Sequence, residues 1–446
     1  MTKSGREVVF AVLAYPHGVN KGGWRHPTAQ PSRVNDVTYY KEIAQLCERG
    51  LLDLFFIADT PAARTDNLEV WATSPLLQNV LEPITLLSAL AGATQNIGLG
   101  ATASTSFFEP FNIARLFASL DHISGGRAAW NVVTSANDYA ARNFGLDRLP
   151  AHSDRYEKAK ECLELVKAYW DTWEEDAFLF DKKQARYFDP QKFHAVKHQG
   201  KHFDVFGGLN LARTPQGQPI VIQAGASDAG KELAAETAEI VFSTGATPGA
   251  AKAFYSDLKG RMSKYGREDA DLIVLSGLTV VIGRTHEEAK AKFAELNALV
   301  PVESKVMSLS TDLETNLLDL PLDEPVPLDR IPKNSNHHQA YFNQIADMIR
   351  NEKLTLRELA QRYNRGLNTL CATPVEVADL IQDWMDQRCC DGFMLSPATL
   401  PESLSDFVEH VVPILQERGI YKTAYREGTL REKLRLKAKL HPSTKR

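Results

Sequence analysis

No G-x-G-x-x-G follows the first apolar run of this 446-residue chain, so there is no dinucleotide fingerprint and no evident NAD-binding unit. Walker A, H-E-x-x-H and G-x-S-x-G segments are also missing. That sets aside P-loop phosphoryl transfer, zincin chemistry and the hydrolase nucleophile elbow. Cysteine is scarce: Cys47, Cys162, Cys371, Cys389 and Cys390 are odd in number and contain no C-x-x-C. Free thiols in a reducing cytosol are the simplest account. His337-His338 is a lone histidine pair and offers too few ligands for a metal. No apolar run approaches the roughly 20 residues of a membrane helix. Val8–Ala14 leads straight into a Pro/His/Gly loop without a cleavage pattern, so no signal peptide is expected and the location expected is cytoplasmic. Lys and Arg total 51 against 56 Asp and Glu, which leaves no basic excess for nucleic acid. Only Arg431–Arg446 is locally basic, and it reads as a solvated, partly frayed end.

What the chain does contain is alternation. Eight short runs rich in Val, Ile, Leu and Phe read as buried parallel strands: Val8–Ala14, Leu52–Ala58, Ile97–Ser104, Ala128–Val133, Pro219–Gln223, Glu239–Ser243, Ile273–Ile282 and Gly392–Ser396. Helical patterns lie between most of them, over Val37–Arg49, Pro83–Thr94, Pro110–Ile123, Asp154–Trp173, Asp228–Ala238, Pro248–Tyr265, His286–Leu299 and Pro401–Arg418. Eight strand–helix alternations predict an α/β fold, a closed (β/α)8 barrel in one domain over 1–446. Four connections are too long for ordinary loops. They span 60–82, 134–153, 177–218 and 301–391, and are expected at or near the barrel mouth as lids, substrate walls or oligomer contacts.

A barrel gathers its chemistry where the strands end. Strand two ends at Asp59, which either accepts hydrogen bonds from a ligand's N–H groups or caps the next segment. Strand three ends in a run of hydroxyls that includes Ser104 and Thr105. They can donate to a ring carbonyl or simply satisfy the turn. After strand four, His152 precedes a helix opening at Ser153-Asp154, with Asp154 and Glu157 at capping-box spacing and Tyr156 in the first turn. His152 and Tyr156 can converge on one anion beside the positive end of that helix. After strand five, Gly225, Ser227 and a following helix make a phosphate cradle of backbone N–H groups. Strand six ends in Ser243-Thr244-Gly245-Ala246-Thr247-Pro248, a second helix start close by. Lys21, Arg25 and Arg64 would suit a polycarboxylate substrate, whereas Trp71, Phe107 and Phe108 would suit an aromatic or sulfur compound.

The segments Leu120-Asp121-His122-Ile123-Ser124-Gly125-Gly126-Arg127, Trp130-Asn131-Val132-Val133-Thr134-Ser135, Asn143-Phe144-Gly145 and His152–Glu157 resemble the reduced-flavin monooxygenases of the bacterial-luciferase-like superfamily. The subgroup is that of the nitrilotriacetate, EDTA and dibenzothiophene-sulfone enzymes. Residues 22–31 and 253–262 look closest to the nitrilotriacetate branch. The resemblance implies FMN, as diffusible FMNH2, supplied by a separate NAD(P)H:FMN oxidoreductase. It implies O2 as co-substrate and oxidation of a small organic substrate with C–N cleavage, or C–S cleavage of a thioether or sulfone. It places flavin contacts at Asp59, Thr105 (with Ser104 adjacent), His152, Tyr156 and Ser227, and Gly225 joins them as part of the cradle read from the residues. His17, in the loop after strand one, is the candidate general acid or base. No metal is called for, and a homodimer or homotetramer is expected. Two other readings share the barrel: deazaflavin hydride transfer, which the strand-four motif fits less well, and flavin binding without catalysis.

Overall fold

All eight predicted strands form. They are β1 (Val9–Leu13), β2 (Leu54–Ile57), β3 (Gly98–Ser104), β4 (Ala128–Val133), β5 (Ile220–Gln223), β6 (Ile240–Ser243), β7 (Ile273–Ile282) and β8 (Gly392–Leu395). In this computed structural model each pairs in parallel with the next, and β8 returns to β1, so the sheet closes into a barrel. The structure describes residues 7–73, 78–135, 137–243, 245, 247–333, 335, 339–363 and 369–445. His337-His338, and Thr244 and Ala246 beyond β6, lie outside them.

Parallel strands are buried on both faces, which explains the near-continuous apolar runs. One face of each strand points into the barrel: Ala11, Leu54, Phe56, Ala129, Ile220, Ile222, Ile240, Leu275 and Met394 form that inner cluster. The other face, including Phe10, Val12, Phe55 and Trp130, packs against the helices. The helices begin where short polar side chains take up their first free N–H groups. Asp36 accepts from Thr38 N, Thr247 from Ala250 N and Thr285 from Glu288 N.

The lower, N-terminal face of the barrel is a stability feature. Gly125 and Gly126 adopt positive φ (65° and 87°), which turns the chain so that Arg127 enters the core. The residue is 4% exposed, and its guanidinium donates to Ser124 O, Thr94 Oγ1, Ile97 O, Ala91 O and Thr94 O. Asp121 is fully buried and accepts from Ala128 N and from Gln216 N and Nε2. Much of the family-like motif thus holds the base of the barrel together.

The basic C-terminal stretch corrects the expectation of a frayed end. Leu430, Leu434 and Leu436 join the inner cluster and close the barrel floor. A Cβ at Gly98 would lie 2.6 Å from the Leu430 side chain, so the leucine packs directly on this glycine. Arg431 is 2% exposed and forks onto Glu239 at 2.5 and 3.1 Å. The Arg431 and Lys439 cations hold the buried Glu239 carboxyl down at about 2, although burial alone would raise it.

All four long connections carry structure of their own; residues 60–82 contain the short helix Leu68–Thr73. Residues 177–218 form two antiparallel hairpins, Phe178–Asp181 with Arg186–Phe188 and Val196–Gln199 with Asp204–Gly207. Residues 134–153 contain a short helix, Asp138–Ala141. Residues 301–391 contain helices Val302–Leu313, Gln339–Asn351 and Leu356–Arg362, which share a separate apolar cluster. They also contain a strand missing from the expected set, Thr369–Ala372, which pairs with the far half of β7. β7 is ten residues long, so its end projects beyond the ring and offers that edge.

Candidate active site at the barrel mouth

The inner face of β3 carries small residues. A Cβ on Gly100 would meet Leu54, Phe56 and Ile222, so this residue faces the barrel interior. Strand alternation puts Thr102 and Ser104 on the same side. Asn131, two residues beyond the inward Ala129 on β4, donates from Nδ2 to Thr102 Oγ1 at 2.9 Å. Its Oδ1 is buried and has no hydrogen-bond partner among the described residues. An acceptor left unmatched in an apolar barrel is costly, and a ligand N–H reaching into the mouth would satisfy it.

Ser104 Oγ lies 2.7 Å from Ser135 Oγ and accepts from Ser106 N. Thr105 is 1% exposed, and its hydroxyl donates to Val133 O at 3.2 Å. Both hydroxyls therefore cross-brace the ends of β3 and β4, and the Thr105 proton is committed to the backbone.

The helix after β4 starts at His152, two residues earlier than its predicted start at Asp154. Ala151 occupies its N-cap without a side-chain bond, so the Asp154–Glu157 capping box does not form. Glu157 pairs with Lys201 on the hairpin insertion instead, at 2.8 Å. The earlier start gives His152 and Tyr156 a true one-turn relation. Their rings lie 4.7 Å apart, inclined by 37°. Burial, then the nearby Arg155, pushes the His152 pKa down.

The Tyr156 hydroxyl reaches the turn after β5: Cβ atoms built on Gly225 and Gly230 would lie 3.3 and 3.0 Å from it. A Cβ on Gly225 would also sit 2.8 Å from Gly230 Cα. Two glycines thus let the turn and the first turn of helix Asp228–Thr237 come together under the tyrosine. Ser227 caps that helix and accepts from Gly230 N at 3.1 Å. A hydroxyl, a cap serine and the N-terminus of a ten-residue helix meet in one place, an arrangement suited to an anionic oxygen group.

A second region lies over β1 and β2. A cavity of about 250 Å³ is lined by Tyr15, Lys21, Asp59, Arg64, Trp71, Tyr139 and Asp312, among others. Asp59 sits at the end of β2. Burial, reinforced by the Glu82 charge, raises its carboxyl pKa to about 6. Arg64 forks onto Asp66 at 2.8 and 2.6 Å and lies over the Trp71 and Tyr139 rings at 4.7 and 4.6 Å. Lys21 bonds to Ser308 Oγ and lies 3.4 Å from Ser304 O. The Trp71 indole N–H is buried without a partner among the described residues. His17 is half-buried in the loop beyond β1, and burial lowers its pKa, which favours a neutral, proton-accepting ring.

The structure thus groups His152, Tyr156, Gly225 and Ser227 at one part of the mouth and places Asp59 in the other. It removes Arg25 from the cavity, because this residue is exposed and donates to Leu299 O. Phe107 stacks on Phe144 at 4.4 Å and, with Phe108, does not line the cavity. The sequence reading missed Tyr15, Tyr139, Asn131 and helix Val302–Leu313. Asn131 was signalled by its place within an apolar strand. The helix was signalled by polar residues at one-turn spacing, Ser304, Ser308, Thr311 and Asp312.

The Asp59 pKa gives a direct test. Its folded pKa lies above the ordinary 3.8, so between these values the folded state holds a proton that the unfolded state has lost. Stability should therefore fall as pH rises from about 4 to about 6 and then level off. Asp59→Asn should flatten that part of a melting-temperature profile and raise the melting temperature at pH 7. Superimposable profiles for the two proteins would refute this.

A closed parallel barrel with polar groups converging on its C-terminal face defines an α/β-barrel enzyme. The chain belongs to the luciferase-like monooxygenase family, which matches residues 19–388. It is 46% identical to nitrilotriacetate monooxygenase component A of Aminobacter aminovorans, over 97% of each chain. It is 42% identical to N-acetyl-S-(2-succino)cysteine monooxygenase of Bacillus subtilis (strain 168), again over 97% of each. Among solved structures, a riboflavin lyase crystallised with a modified FMN and riboflavin superposes with a TM-score of 0.86, at 31% identity and 99% coverage of both chains. The family resemblance seen in the sequence is therefore borne out.

Proposed function

We propose that this protein is a two-component monooxygenase that receives reduced FMN from a separate NAD(P)H:FMN oxidoreductase. It uses O2 to oxidise a small polycarboxylate, with cleavage of a C–N bond. The carrying observation is the meeting of Tyr156, Gly225, Gly230 and Ser227 at a helix N-terminus, which fits the FMN phosphate. The unmatched Asn131 Oδ1 and the carboxyl of Asp59 fit the polar edge of its ring. Reduced FMN, when bound, supplies the electrons that activate O2. The chain's own tasks are to anchor the phosphate, orient the ring and keep water from the mouth. Arg64, Trp71, Tyr139 and helix Val302–Leu313 wall the adjoining cavity from three insertions, which supports water exclusion there. In this reading His17 beyond β1, its pKa lowered by burial, serves as the proton acceptor.

Lys21 and Arg64 in the cavity support an anionic substrate. Nitrilotriacetate and N-acetyl-S-(2-succino)cysteine are both polycarboxylates, one an amine and the other a thioether. C–S cleavage of a carboxylated thioether is therefore the second reading. The experiment supplies FMNH2 from a reductase and follows oxygen and product with aminopolycarboxylates, succinylated thioethers and sulfones. An aminopolycarboxylate should be consumed in step with O2, and Arg64→Ala should raise its KM about tenfold. Hydrogen peroxide as the sole product with every compound would defeat the proposal.

A homo-oligomer fits the apolar surface of the hairpin insertion. Phe180 and Tyr187, in edge contact at 5.0 Å on the first hairpin, are 59% and 64% exposed, and Phe206 on the second is 80% exposed. Sedimentation of the wild type should give a dimer or larger, and Phe180→Asp with Tyr187→Asp should shift it toward monomer.

A further inference from the structure

Glu174, His194 and His441 come together away from the barrel mouth, and the proposed reaction does not use them. Their candidate ligand atoms all lie within 4.8 Å of one another. They arrive from three distant parts of the chain: the segment after helix His152–Trp170, the start of the second hairpin, and the C-terminal stretch. His194 Nε2 lies 2.8 Å from Glu174 Oε1, and the His194 and His441 rings are inclined by 29° at 4.6 Å.

His441 is 3% exposed, and its orientation is set on both sides. Nε2 lies 2.8 Å from the Asp171 carbonyl. A carbonyl can only accept, so Nε2 carries the proton and Nδ1 keeps its lone pair. That lone pair accepts from Ser443 N at 3.1 Å, with Ser443 Oγ at 2.7 Å. A backbone carbonyl fixing the far ring nitrogen is the usual support of a metal-ligating histidine.

We propose that Glu174, His194 and His441 bind a divalent cation of the zinc type. Two imidazoles and a carboxylate suit a borderline metal, with water as the fourth ligand. Tetrahedral zinc places its ligand atoms roughly 3.3 Å apart. The 2.8 Å His194–Glu174 contact must open slightly and the wider separations must close. His194 releases the Nε2 proton to solvent or moves it to Nδ1, and Ser443 yields the His441 lone pair. The ion would fasten the C-terminal stretch, which closes the barrel floor, to the hairpin insertion.

The test uses full-length protein stripped with a chelator and titrated with ZnCl2 by calorimetry, with Co²⁺ as a visible reporter. Wild type should bind one zinc per chain at micromolar concentration or tighter and give the intense Co²⁺ bands of a four-coordinate site. His194→Ala and Glu174→Gln, both at partly exposed positions, should each weaken this by at least tenfold. They should also abolish the zinc-induced rise in melting temperature. His441→Ala adds a third arm if it folds, but the first two decide the matter. Absence of zinc binding by wild type would overturn the proposal, as would unchanged titration of both variants. The cluster would then be a hydrogen-bonded latch only.

Discussion

Ser227→Asp should weaken reduced-FMN binding by about a hundredfold or more while leaving the fold intact. Aspartate caps a helix as well as serine does, and its charge is favourable at a helix N-terminus. Its carboxylate can accept from Gly230 N as Ser227 does now. The melting temperature should therefore hold or rise. The same carboxylate would stand where the proposed phosphate binds, and close like charges cost several kcal/mol. Tyr156→Phe is the companion: it keeps the ring beside His152 and removes only the hydroxyl that faces Gly225 and Gly230. Loss of one hydrogen bond to a charged group costs about 1.5–3 kcal/mol, so its Kd should rise at least tenfold. Anaerobic titration of flavin fluorescence measures both. Unchanged affinity in Ser227→Asp would move the phosphate site elsewhere.

Arg127→Ala should destabilise the protein by about 3–5 kcal/mol, the range for stripping one partner from a buried charged network. The guanidinium has five donor contacts, to four backbone carbonyls and one hydroxyl. One of these carbonyls, Ala91, is the last of helix Pro83–Ala91, where the helix dipole favours a cation. Burial pulls the Arg127 pKa down, and these oxygens are what support the charge. Alanine would leave the carbonyls unsatisfied around a cavity. Arg127→Lys should recover little, since one ammonium cannot reach all of these oxygens. Urea unfolding reads the effect, and a loss under about 1 kcal/mol would show that Arg127 is not the staple described.

Strand positions were legible because a parallel barrel buries each strand on both faces, so hydrophobicity alone marks them. Thr369–Ala372 escaped because its edge position leaves Thr369, Leu370 and Cys371 only partly buried. The start of the helix at His152 was misplaced because Ser153-Asp154 is a strong local cap signal. Tertiary contacts extend that helix by a turn's fraction and give Glu157 to Lys201. The basic tail was misread for a related reason. Charge counts describe a segment in water, whereas Arg431 is matched by Glu239, just before β6 and 192 residues away.

Local information therefore determined the barrel, the strand ends and the kinds of side chain gathered there, because period, caps and turns act over a few residues. Only the tertiary structure decided which groups share a site. It joined Tyr156 to Gly225 and Ser227, set Asp59 in a cavity walled by Arg64, Trp71 and helix Val302–Leu313, and withdrew Arg25 to the surface. Those outcomes depend on how distant segments close over one another. Burial then sets the charge state, as the raised pKa of Asp59 and the lowered one of His17 show.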